Sequence, residues 1–157
     1  MIPTGDNLQR RSIPFMNYFF IIINVLVFVL ELSTNGAGLV SRFGAVPRHI
    51  TQPFQYPFAL ITLITAMFLH GGWMHLIGNM IYLGVFGDNI EDTLGHFRYV
   101  GFYLFGGIIA SLTHIFLEPG SEVPLVGASG AIAAVLGAYL VFFFHAKVRV
   151  AIVIFFY

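Results

Sequence analysis

The sequence reads as an all-α, polytopic membrane protein, and three observations carry that reading. Of its 157 residues, 58% are hydrophobic and only 9% charged, a balance far from that of a water-soluble domain. Four apolar runs are separated by polar or glycine- and proline-broken connectors, and a further run begins at the end. The last two complete runs carry small residues at four-residue spacing, the pattern that lets helices pack closely within a bilayer. A single domain spanning 1–157 follows, with four complete spans, the start of a fifth, and an interfacial first loop.

Composition also excludes function classes. Net charge is zero, with seven basic and seven acidic residues, and no basic run offers an electrostatic footprint for nucleic acid. The absence of Cys rules out disulfides, thiolate metal sites and thiol catalysis. The first apolar run has no small-residue cleavage site after it and is long enough to stay in the bilayer, so it reads as an uncleaved first span.

Taken in order, Met1 to Arg11 is polar, Ser12 is placed to cap a helix, and Pro14 falls in the first turn, where a missing N–H is harmless. The first span runs over Ile13 to Leu32. Asn17 and Asn24 lie two turns apart on one face, with their amides expected to bond neighbouring helices. Ser33 to Ala59 is broken by Gly36, Gly38, Pro53 and Pro57 yet rich in aromatics (Phe43, Phe54, Tyr56, Phe58). That combination predicts an irregular loop partly sunk in the membrane surface. Leu60 to Leu69 is too short to cross at 1.5 Å per residue and is expected to feed into the second span, Trp73 to Phe86. Gly87 and the polar turn Asp88 to Asp92 close that span.

The third span covers Arg98 to Leu117, with Gly106/Ala110 and Gly107/Ser111 in small-xxx-small register. After the connector Glu118 to Pro124, the fourth covers Ala128 to His145, with Gly130, Ala134 and Ala138 on one face. Val150 to Tyr157 reads as the beginning of a fifth span. Arg10, Arg11, Arg98, Lys147 and Arg149 fall on one side and only Arg42 and Arg48 on the other, so the N-terminus is expected in the cytoplasm of a bacterial-type inner membrane. His70, His75 and Ser129 then share the outer side.

Chemistry concentrates in two stretches, His70 to Asn79 and Val126 to Gly137. Ser129 sits between glycines at the mouth of the fourth span, an uncrowded seat beside the free N–H groups and positive end of a helix. His75 and Asn79 share one face of the second span at a similar depth. A hydroxyl and two side-chain donors at one level supply a nucleophile and an oxyanion hole. The plainer reading makes Ser129 a packing residue and His75 a satisfied interfacial polar group. No base is evident: His145 lies about 24 Å along the helix from Ser129, and His114, near the outer end of the third span, has a compatible depth and nothing else to mark it as the base. The His70/His75 spacing lacks the H-E-x-x-H context of a zinc site, and no metal or cofactor is called for.

These residues resemble the rhomboid intramembrane serine proteases. The resemblance rests on Ile13 to Asn17, Arg42 to Pro47, His70 to Asn79, Gly87 to Gly95 and Gly127 to Gly137, the last matching G-x-S-G-x-x-x-[GA]-x-x-G. It implies a compact six-helix bundle that cleaves membrane-anchored protein substrates at helix-breaking, small-residue sites. It further implies Ser129 as nucleophile, His75 and Asn79 as oxyanion donors with the Ser129 N–H, and Glu91 in a structural turn. The family pairs its serine with a histidine on the sixth span, so residues 1–157 alone are expected to be incomplete and inactive. The alternative that the resemblance leaves open is a non-catalytic rhomboid-like protein that binds membrane clients.

Overall fold

The computed structural model describes residues 2–34 and 36–152. Strand β1 (Ile2–Gly5) precedes the long helix α1 (Phe15–Ser33), two short helices α2 (Ala37–Phe43) and α3 (Pro47–Thr51), and α4 (Thr62–Thr65), which has a 3₁₀ turn at each end. Helix α5 (Trp73–Tyr82) runs through a π-helical stretch, Leu83–Gly87, into α6 (Asp88–Leu94). Then come α7 (His96–Leu117), α8 (Ser129–Phe142) and strand β2 (Arg149–Ala151). Two helices, α1 and α7, are individually long and apolar enough to cross a membrane.

Burial of α1 follows one stripe: Asn17, Phe20, Asn24, Phe28 and Glu31 face inward, while Phe19, Ile22, Leu26 and Val29 stand exposed. The 3- and 4-residue steps of that stripe are the helical period. The expected interhelical bonding holds for Asn17, whose amide donates to Leu83 O and accepts from the Tyr99 hydroxyl. Asn24 differs: it donates to Phe20 O of its own helix at 2.6 Å.

Ser12 does not cap α1. Its hydroxyl donates to Asp92 Oδ1, and the cap comes from Glu91, whose two carboxylate oxygens accept the Met16 and Asn17 N–H groups at 2.9 and 2.7 Å. A carboxylate at a helix N-terminus satisfies orphan donors and complements the dipole. The residues expected to form a polar turn, Asp88 to Asp92, are therefore helical, because their polar groups find partners in the N-terminal segment. Gly95, at φ +78°, ends this helix in the left-handed region where a glycine avoids the Cβ clash.

Leu60 to Leu69 does not feed straight into the second span. The helical segments Ala59–Phe68 and Trp73–Leu94 meet at 80°, with Leu69 extended at ψ 150°. The broken loop Ser33 to Ala59 contains α2 and α3, with Phe54 and Phe58 projecting outward. At the other end α8 stops at Phe142, three residues before the expected boundary. Instead of starting a fifth helix, Arg149–Ala151 pairs antiparallel with β1; from 153 onward that run lies outside the described residues.

Helices α7 and α8 meet through their small residues. A Cβ on Gly106 would stand 2.5 Å from Ala134 Cβ, and one on Gly130 2.7 Å from Ala110 Cβ. Gly137, by contrast, has open space around it. Gly130→Val and Gly106→Val are therefore expected to destabilise the bundle by about 1–3 kcal/mol through overpacking, and Gly137→Ala to leave it unchanged or slightly firmer. Unfolding midpoints in mild detergent measure this; equal tolerance at all three positions would show that the small residues do not form a helix seat.

Candidate active site

The connector ahead of α8 is pinned by main-chain bonds from three places. Ala45 and Leu125 exchange both of their N–H···O bonds, Arg48 N donates to Ser121 O, and Gly127 N donates to Ala66 O at 2.8 Å. Arg48 also pairs with Glu122. The first loop and the 3₁₀ turn after α4 thus set where α8 begins, and hence the position of Ser129.

Ala128 is fully buried at the helix mouth, whereas the next residue, Ser129, is exposed and opens α8. The helix gives its first N–H groups no intrahelical partner. Ser129 lines a cavity of about 200 Å³ together with Met67, Gly107, Ser111, His114 and Gly127.

Gly127 adopts φ +115°, and a Cβ there would stand 2.5 Å from His75 Cε1 and Nε2 and 3.6 Å from Asn79 Nδ2. A missing side chain at Gly127 is what lets the imidazole and the amide approach this turn. The structure thus brings His75 and Asn79 against the main chain two residues before Ser129. Of the other sequence candidates, His114 shares the Ser129 cavity, and His145 lies beyond the end of α8.

Two further polar residues stand in this neighbourhood: His70, which the sequence reading placed on the outer side without a role, and Glu31, which it did not single out. His70, 2% exposed, sits with its ring 5.1 Å from that of His75, edge to face, and its Nε2 lies 3.0 Å from Asn79 Nδ2. Glu31, 4% exposed, accepts the His70 N–H. Its sequence signal was an acid inside an apolar run, which in a membrane segment marks an internal partner.

A family model described as "Rhomboid domain" matches residues 57–157 of the chain. The chain belongs to the rhomboid family. Its similarity to individual relatives agrees. It is 35% identical over 131 residues to "Rhomboid protease GluP" of Bacillus subtilis, covering 81% of this chain and 24% of that one. "Rhomboid-like protein 11, chloroplastic" of Arabidopsis thaliana is 31% identical over 115 residues, 73% of this chain and 38% of the relative. "RHOMBOID-like protein 5" of the same plant is 40% identical over 78 residues, covering 50% and 25%. This rhomboid therefore spans well under half the length of those relatives. The family includes relatives named as proteases, and the apolar α1 and α7 agree with an integral membrane protein.

Proposed function

We propose that this chain carries the serine chemistry of a rhomboid-type intramembrane endopeptidase acting on membrane-anchored protein substrates. Ser129 is the nucleophile, and His75, Asn79 and the Ser129 N–H receive the oxyanion. The observation that carries the reading is the packing of the His75 ring and the Asn79 amide on Gly127, at the mouth of the helix that Ser129 opens.

In the first step the Ser129 Oγ attacks the scissile carbonyl carbon while its proton passes to a base. The carbonyl π pair moves onto oxygen, where donors fixed in a water-poor site are worth most. Collapse expels the amine with a proton, leaving an ester on Ser129 that water hydrolyses through a second oxyanion. The family resemblance assigns the base to a histidine on a later span; within this chain His114 is the residue whose placement on the Ser129 cavity supports comparison with it. A fluorophosphonate probe tests the assignment by forming a phosphonyl ester at the activated serine. In the protein expressed from its complete reading frame, peptide mapping is expected to locate that adduct on Ser129, and an adduct elsewhere would exclude the reading.

In the bilayer, the single domain reads as four spans: α1, the bent pair from Ala59 to Leu94, α7 and α8, with a cytoplasmic N-terminus. The loop holding α2 and α3 rests in the outer interface, where exposed Phe54 and Phe58 suit the headgroup boundary. A reporter fused after Glu118 should then be extracytoplasmic and one fused after Gly95 cytoplasmic. Both reporters on one side would refute this arrangement.

A further inference from the structure

A buried carboxylate beside the site has no part in the chemistry above. Glu31 lies in the last turns of α1, in a run that composition assigns to the bilayer, where a carboxylate persists only with a partner. Its Oε1 and Oε2 accept the His70 N–H at 3.0 and 3.3 Å. That bond anchors the segment between Phe68 and Trp73, where the chain bends.

The His70 ring extends the connection. Its Nε2 lies 3.0 Å from Asn79 Nδ2, and an amide nitrogen only donates, so Nε2 must be bare and the ring proton must sit on Nδ1. Glu31 holds the His70 main chain, and through it the place of the ring. Nδ1 itself is buried without a partner among the described residues. In this arrangement Asn79 turns its NH2 group, not its oxygen, toward His70. The same nitrogen faces Gly127, which leaves its second N–H for the reaction side.

We propose that Glu31 is a positioning residue: through the His70 main chain and imidazole, it fixes which end of the Asn79 amide faces the Ser129 site. The proposal rests on the reading of Asn79 as an oxyanion donor. Without Glu31, the His70 segment loses its anchor and the ring its fixed place beside Asn79. The amide is then free to rotate, and Oδ1 lone pairs take the place of an N–H where negative charge develops.

The test uses the protein expressed from its complete reading frame, in proteoliposomes, with a fluorophosphonate probe and separate measurement of kinact and KI. Glu31→Leu is expected to lower kinact by roughly 10- to 100-fold, as expected for a displaced donor, with KI unchanged. Glu31→Gln keeps an acceptor but not the charge and is expected to lose only about threefold to tenfold, a part of that range. In an Asn79→Ala background neither change should lower kinact further, since the group being positioned is gone. A loss of equal factor in both backgrounds, or no loss while Asn79→Ala is impaired, overturns the role of Glu31 alone. If Asn79→Ala reacts like wild type, the oxyanion assignment itself falls. Should Glu31→Leu fail to fold, the Glu31→Gln loss, read in the two backgrounds, decides in the same way.

Discussion

In the protein expressed from its complete reading frame, Ser129→Ala is expected to reduce fluorophosphonate labelling to background and to lower cleavage of a transmembrane substrate by several orders of magnitude. In a soluble serine protease, loss of the nucleophile costs on the order of 10⁶ in turnover, the remainder coming from binding and the oxyanion hole. The change should be invisible to folding. Ser129 is exposed at the first position of α8, and no described residue hydrogen-bonds its hydroxyl, so removing one oxygen breaks no internal contact. Labelling, cleavage and the unfolding midpoint should be measured on the same preparation. Retained labelling in a folded Ser129→Ala variant would show that another residue reacts.

His75→Ala and Asn79→Ala are expected to come next, each slowing acylation of Ser129 by about 10- to 1,000-fold, the range for loss of one oxyanion donor. Both groups press on Gly127, and both are proposed to act on the same developing charge. The losses should therefore fall on the rate of the chemical step and leave probe affinity intact. The double variant should lose less than the product of the two singles, because the second deletion removes a donor from a hole already deformed. A pair of variants that weaken probe binding with unchanged kinact would instead make these side chains part of a binding surface.

The parts of the site that the sequence made legible are those written in local spacing. His75 and Asn79 are one helical turn apart, and Ser129 stands between glycines before an apolar run; both patterns follow from short-range geometry. The small residues of α7 and α8 were readable for the same reason. What stayed hidden depends on partners distant in sequence. Glu31 was not singled out, because its partner is an N–H 39 residues later. Ser12 carried a sound capping signal, yet Asp92 takes its hydroxyl and Glu91 caps the helix. The 80° bend before Trp73 likewise lay beyond a reading that had Leu60 to Leu69 feed into the second span.

The Glu91 cap has a further consequence, for the order in which the protein assembles. Three of its connections reach back or forward to other elements: Met16 and Asn17, 75 and 74 residues earlier, and His96 at the start of α7. As the chain emerges from the ribosome and enters the membrane, α1 is made first, with two donors of its opening turn still wanting acceptors. These contacts form only once α6 has been synthesised, and closing so long a loop is slow compared with forming a helix. The opening turn of α1 and the start of α7 are thus tied through one side chain made between them, so the Glu91 contacts of α1 come late in the order of synthesis.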